Sequence, residues 1–429
     1  MALTGGRMKK SVLLVGPILT RSGYGEQARF ALRALRSRED LFDVYIKPIT
    51  WGQTSWIIDD TPERRWIDET IEKTVGFVQQ GGQFDISLQV TIPNEFMNIA
   101  KRDIGYTAGI ETTLCAPEWT AKCNEMDSII VVSNHSKNVL SAARFEGVDE
   151  STGQRIVLEN SADITAVNYP VKQYDDLPDL NLELETKFNF VTVAQLGPRK
   201  NLETTIKCFI EEFKDEDVGL VVKTNIAKNC LMDRNMCLAN LRNMINQVSA
   251  DDRKCKIYLI HGHMSDEEMH SLYHDEKIHA MVAIPHGEGF GLPIFEAAYS
   301  GLPVVAVGWS GQCDFIYDNT IPPKPHFYQV AFDINTVPEA AVWDGVILKE
   351  SGWSYARPHS VKEQMRNCYN DITNNVEGSI ASNSCTRALD LRQQFSPENM
   401  YEEFVNCVVD LKGEEEKQEE VENLLNDLL

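Results

Sequence analysis

The sequence predicts an α/β protein of two domains, each a parallel sheet with helices on both faces. Three observations carry that prediction. The chain has 429 residues, more than one ordinary hydrophobic core accommodates. Short, nearly continuous apolar runs alternate with stretches of helical period in both halves, as expected of strands buried on both faces and joined by crossover helices. Each half also opens with a strand, a glycine-containing turn and a helix, and the polar stretch Lys172–Asp179 lies between them.

Ser11–Val15 reads as the opening strand. The pair Lys9-Lys10 ahead of it superficially resembles a secretory leader, but no small-residue cleavage site follows and the run is too short to span a membrane. Met1–Arg7 reads as a loose leader or a vector remnant. The loop Ser22-Gly23-Tyr24-Gly25 then precedes a helical pattern over Glu26–Leu35. Glycines let a ligand approach the backbone closely, and unpaired amides at a helix start favour an anion. A purely structural turn is an equally simple reading of this loop alone.

Further strands read at Val44–Ile46, Phe84–Leu88, Ile104–Thr107 and Ser128–Val132, with helices over Glu63–Phe77 and Pro117–Met126. Ser133 is placed to cap another helix. Glu111, in Gly105-Tyr106-Thr107-Ala108-Gly109-Ile110-Glu111-Thr112, falls just past the carboxyl end of a strand, where open α/β sheets place their ligands. A loop charge would explain it as well.

The second alternation has strands at Phe188–Val193, Val218–Lys223, Ile257–His261, Ala280–Ile284 and Pro303–Val307. Its helices are Leu202–Phe213, Met232–Val248, Ser265–Tyr273 and Pro293–Tyr299. Its first connection is Gln195-Leu196-Gly197-Pro198-Arg199-Lys200-Asn201. Arg199 and Lys200 stand directly before a helix start, where cations oppose the dipole, so an anion is expected between them. Helices also read at Val361–Cys368, Ile380–Leu391 and from Pro397 to Val409. In the tail, Val421, Leu424, Leu425 and Leu428 recur at helical spacing. That stripe is expected to dock on the body or on a second copy of the chain.

Composition narrows the function. Hydrophobic residues make up 43% and charged residues 24%, as in a globular enzyme rather than a disordered chain. The net charge is −23; residues 412–429 hold seven acids and two bases, so they supply −5 and the body keeps −18. Such a body argues against general nucleic-acid binding, which needs clustered Lys and Arg. Ten cysteines without a C-x-x-C pair read as reduced thiols of a cytoplasmic protein, with peripheral membrane association left open. No spacing of histidine with cysteine marks a zinc site. The acidic triplet Asp215-Glu216-Asp217 reads as a solvated loop.

The organising stretch is His286-Gly287-Glu288-Gly289-Phe290-Gly291-Leu292-Pro293-Ile294-Phe295-Glu296-Ala297-Ala298. An apolar strand precedes it, and Pro293 suits the first helical position because its missing N–H costs nothing there. A glycine-rich turn between strand and helix presents free amides to a phosphate. Glu288 and Glu296 would repel that phosphate unless they bind something else, and sugar hydroxyls are suitable donors.

These residues resemble glycosyltransferase family 4, retaining enzymes of the GT-B fold. Glu288 and Glu296 match the family's E-x7-E motif, and Gly301-Leu302-Pro303-Val304 and Gly311-Gln312-Cys313-Asp314-Phe315 resemble the segments that follow it. The likeness is strongest over Phe188–Phe315. It implies two Rossmann-like domains facing across a cleft: residues 1–172 on the acceptor side, 173–395 binding the donor, and 396–429 a helix returning toward the first domain with an acidic amphipathic tail.

The resemblance also implies roles. Glu288 would bond hydroxyls of the donor sugar and Glu296 the ribose. Amides around Gly289, Phe290, Gly291 and Leu292 would meet the diphosphate or sugar. Lys200 and Arg199 would bind the diphosphate, with Asn201 beside them, and Gly23-Tyr24-Gly25 would close over it. Many members carry an arginine near the position of Gln195, and many a histidine near the sugar, a place that Glu111 takes here. The donor would be a UDP-, GDP- or ADP-sugar, with no metal or other cofactor required. A glycan, lipid-linked or protein acceptor is expected ahead of nucleic acid. No carboxylate nucleophile is established in the family; transfer on the same face, with the donor phosphate taking the acceptor's proton, is inferred. Two alternatives are a nucleotide-sugar epimerase of similar architecture and a non-catalytic nucleotide-sugar binder or scaffold.

Overall fold

A computed structural model describes residues 9–148, 153–248 and 252–409. The amphipathic stripe at the C-terminus and Met1–Arg7 lie outside the described residues. The first half contributes strands β1 (Lys10–Gly16), β2 (Phe42–Pro48), β3 (Ile86–Val90), β4 (Arg102–Thr107), β5 (Ser128–Val131), β6 (Arg144–Val148), β7 (Arg155–Glu159) and β8 (Ile164–Ala166). Its helices are α1 (Gly23–Arg36), α2 (Pro62–Gln79), α3 (Pro117–Cys123) and α4 (Asn134–Ser141). Six of these strands form one parallel sheet in the order β2-β1-β3-β4-β5-β8.

The second half contributes β9 (Phe188–Val193), β10 (Val218–Lys223), β11 (Lys256–Ile260), β12 (Ala280–Ala283), β13 (Val304–Val307), β14 (Tyr328–Val330), β15 (Phe332–Thr336) and β16 (Gly352–Ala356). Its helices are α5 (Leu202–Phe213), α6 (Leu231–Val248), α7 (Asp266–His274), α8 (Leu292–Tyr299), α9 (Cys313–Ile316), α10 (Pro358–Thr373) and α11 (Ile380–Gln394). The sheet order is β11-β10-β9-β12-β13-β14, again parallel throughout. Strand order reverses at β1/β3 in one sheet and at β9/β12 in the other. Crevices at such points, outside the carboxyl ends of the strands, are where this architecture binds ligands.

The strand interiors explain the parallel arrangement. Val12, Leu14, Leu88, Val90 and Ile104 are fully buried in the first sheet, as are Phe190, Leu220, Val222 and Val282 in the second. A last helix, α12 (Pro397–Val408), crosses back to the first domain. Its Phe404 ring lies 5.2 Å from Phe30 and 5.0 Å from Tyr106, and Arg102 Nη1 donates to the Val408 carbonyl at 2.7 Å. Burying one such aromatic ring contributes about 2–3 kcal/mol, so this helix belongs energetically to the core it covers.

Several local expectations are corrected. Gly23, Tyr24 and Gly25 are not a loop before the first helix but its first turn, because the Ser22 hydroxyl accepts from the Gly25 amide and caps the helix there. Pro293 takes the second helical position, with Leu292 first and Gly291 as the cap at φ 97°. The strand expected at Phe84–Leu88 starts at Ile86, since the Asp85 carboxylate turns to the Ser11 amide and to Lys101. Lys172, at the start of the polar stretch between the domains, is not solvated: it pairs with Glu26 and Asp266. Glu216 of the acidic triplet pairs with Arg366 at 2.6 Å, tying the end of α5 to α10.

Two antiparallel hairpins were not legible in the sequence. The pair β6–β7 is largely exposed and so lacks an apolar alternation. The pair β15–β16 carries residues 337–351 across to the first domain, where Val346 is buried with Ile92, Ile110 and Trp119. Thr113 and Gly352 exchange two hydrogen bonds there, of 3.2 and 2.8 Å.

Candidate active site

The loops leaving β9 and β12 meet at the reversal point of the second sheet. After β9 the chain makes a short turn at Pro198–Lys200, then Asn201 adopts the left-handed conformation at φ 55° and α5 begins. The Asn201 side-chain amide donates to the Ile284 carbonyl at 3.1 Å, which binds the two loops together. The His286 amide donates to the Arg199 carbonyl at 2.8 Å and adds a second tie. Glu288 therefore arrives opposite Arg199 and Lys200.

The geometry there is an ionic cluster. Glu288 Oε1 lies 2.5 Å from Lys200 Nζ and its Oε2 lies 3.0 Å from Arg199 Nη1. Glu111, from the loop after β4 in the first domain, reaches Arg199 Nη2 at 3.3 Å. Glu288 is only 7% exposed. Burial alone would push its carboxyl up, but Lys200 and Arg199 together outweigh burial and hold it below the ordinary carboxylate range. Burial pulls the two cations down; Arg199, facing both carboxylates, ends above its ordinary value. Lys200, which shares Glu288 with Arg199, ends below. In this structure a carboxylate of the protein itself, Glu288, lies between the two cations.

Beside this cluster α8 begins. No side chain caps it, and Gly291 starts it in the left-handed region, so the first amides of the helix have no partners within it. The turn before it is held from both domains. Ser133 donates to the Gly289 carbonyl at 2.6 Å, and Gly311 to the Glu288 carbonyl at 2.9 Å. The Phe290 ring is buried 5.2 Å from Tyr169 and 5.1 Å from Phe295, which points it into the core. Only its backbone can face a ligand.

Glu296 lies in contrasting company. Tyr273 donates to its Oε2 at 3.1 Å, and Lys172, Asp266 and Glu26 surround it. Burial, reinforced by Asp266 and Glu26 against the opposing pull of Lys172, pushes its carboxyl up to about 7. Tyr299 also senses it. The folded protein then keeps a proton that the unfolded chain releases near pH 4.5, so the folded form binds more protons between those values. Stability held below pH 4.5 is lost as pH rises toward 7. Glu296→Gln is expected to be more stable than wild type at pH 8, by about 3 kcal/mol, with the gap closing near pH 4.5. Thermal unfolding across that range checks this; a gap that does not change with pH would refute it.

Among the remaining predicted residues, Tyr24 sits across the cleft, its hydroxyl 2.9 Å from Thr107 Oγ1 and its ring 4.1 Å from Trp51. Gly25 packs on Thr20, while a side chain added at Gly23 would meet nothing within 4 Å. Gln195 does not join the ionic cluster; its amide donates to the Ile226 carbonyl at 2.5 Å. Trp51 and Glu95, at the carboxyl ends of β2 and β3, were missed. Position at the end of a strand was the available signal for both.

Asp233, Cys237 and His261 do come together, with ligand-type atoms within 4.8 Å of one another. Asp233 accepts from the amides of Ile226, Ala227 and Lys228 and lies 2.8 Å from His261 Nε2. These bonds brace the loop after β10, whose Ile226 carbonyl holds Gln195.

Residues 175–324 match the family model described as glycosyl transferases group 1. That segment contains both loops of the ionic cluster. No curated protein matches the chain. Solved structures do. Sucrose-phosphate synthase from Thermosynechococcus elongatus is 12% identical over 94% of this chain and 100% of its own, with a TM-score of 0.57. HepE from Anabaena, in complex with UDP and glucose, is 11% identical over 94% and 100%, at 0.55. A trehalose-6-phosphate structure from E. coli, bound with UDP-2-fluoro glucose, is 9% identical over 93% and 98%, also at 0.55. The chain has the GT-B fold, and its residues 175–324 are the part that resembles the glycosyl transferases group 1 model. Among the described residues no helix is long and apolar enough to cross a membrane.

Proposed function

We propose that this protein transfers a sugar from a nucleotide-diphosphate sugar to an acceptor hydroxyl, with retention and without a metal ion, as a family 4 glycosyltransferase. The observation that carries the reading is the buried Arg199–Glu288–Lys200 cluster, set beside the uncapped start of α8 at the strand-order reversal. A diphosphate there meets two cations and a helix N-terminus, the charge that a divalent cation would otherwise supply.

Donor binding exchanges partners in this cluster. The diphosphate takes Arg199 and Lys200, and the Glu288 carboxylate, released from them, accepts hydrogen bonds from hydroxyls of the sugar. Glu296 takes the ribose hydroxyls. As the C1–O bond lengthens, negative charge grows on the leaving phosphate, where the fixed cations stabilise it best because the closed cleft excludes water. Glu288 is occupied with hydroxyls and is not cast as a nucleophile.

The test is a calorimetric and thermal-shift screen of UDP-, GDP- and ADP-sugars, followed by transfer assays. A ligand bound only by the folded state raises its melting temperature. One donor is expected to bind and to be transferred. A sugar isomerised in the absence of acceptor would point to an epimerase, and binding without turnover across an acceptor panel to a non-catalytic binder.

A further inference from the structure

We propose, on the strength of the transfer reaction above, that the acceptor is an uncharged carbohydrate, seated on Trp51 and Tyr24 and hydrogen-bonded by Glu95 and Glu111. These residues occupy the carboxyl ends of β1, β2, β3 and β4, around the reversal point of the first sheet. That crevice faces the donor cluster, and Glu111 joins the two through its contact with Arg199.

The chemistry of this surface is that of a sugar site. Tyr24 is fixed by Thr107 Oγ1 and by the Ala108 amide at 3.3 Å, and the Trp51 ring packs against it, tilted by 31°. Trp51 is half-buried, with its loop neighbour Trp56 47% exposed. The C–H face of a pyranose packs on such rings, while its hydroxyls need acceptors at the edge. Glu95, braced by Thr91, and Glu111 supply them from the loops that follow the neighbouring strands β3 and β4. Asn94 Oδ1, on the same loop as Glu95, is shielded from solvent and has no hydrogen-bond partner. Space remains beside Tyr24, since a side chain at Gly23 would meet nothing within 4 Å.

The same groups disfavour other acceptors. Two carboxylates repel a phosphate-bearing lipid or a nucleic acid, and the nearby cations Arg199 and Lys200, paired with Glu288 and Glu111 in the free protein, pass to the donor diphosphate rather than to the acceptor. In the transfer step the acceptor oxygen forms the new bond to C1 and the C1–O bond to the phosphate breaks with its electron pair. The hydroxyl proton passes to the leaving phosphate oxygen. No oxidant, reductant or further reactant is needed.

The test offers the donor found by calorimetry with three acceptor sets: neutral oligosaccharides, phosphate-bearing sugars and polyprenyl phosphates, and Ser/Thr peptides. Neutral oligosaccharides are expected to be the productive set. Trp51→Ala is expected to raise the acceptor KM by about tenfold with a smaller effect on kcat, and Trp51→Phe to restore it, as loss of one stacking ring predicts. Equal or better transfer to charged or peptide acceptors, or an acceptor KM indifferent to Trp51→Ala, overturns the acceptor class alone. Absence of any donor binding overturns the transfer reading, and this proposal with it.

Discussion

Lys200→Ala is expected to lower sugar transfer by about a hundredfold or more, as removal of one charge contact made in a transition state does. The loss should fall mainly on kcat. In the free protein Arg199 Nη1 lies 3.0 Å from Glu288, so the buried carboxylate keeps a partner and the variant should still fold. Steady-state kinetics with saturating donor, alongside a thermal melt, separates the two effects. A folded variant with wild-type kcat would remove Lys200 from the chemistry.

Gly287→Ala is expected to be comparably damaging for a different reason. A Cβ at Gly287 would lie 2.1 Å from the Glu111 carbonyl oxygen and 2.8 Å from the Trp309 ring. Neither backbone nor ring can yield by that much locally, so the two domains must separate at the cluster. Displacement by about 1 Å between reacting groups costs on the order of a hundredfold in rate. Nucleotide affinity, which the proposed function assigns to the second domain, should fall far less than transfer. Wild-type turnover in Gly287→Ala would mean that the close approach of Glu111 to this turn is not part of the active geometry.

How much was legible beforehand differs from element to element. Strands with continuous apolar runs, such as Phe188–Val193 and Val218–Lys223, were readable because burial on both faces leaves few polar positions. The start of α1 was misplaced because glycines suggest a loop, whereas a serine cap outweighs their weak helix preference. The hairpin β15–β16 was invisible since its pattern answers to a partner domain rather than to its own period.

Within the candidate site, Glu288 and Glu296 look equivalent in sequence, eight residues apart. Their surroundings are opposite: cations hold one carboxyl low, while burial and neighbouring acids raise the other to about 7. Those neighbours come from α1, α7 and the linker, and no local spacing encodes them.

By itself, then, the sequence determined the two-domain α/β fold and the strand–glycine–helix turns, because periodicity and backbone permissiveness are local properties. Tertiary structure alone decided that Arg199 and Lys200 close on Glu288 and that Glu111 reaches them from the other domain. It alone placed Trp51, Tyr24 and Glu95 on the facing rim. Charge pairing and desolvation depend on what is brought within a few ångströms, and that is settled by how the sheets face each other.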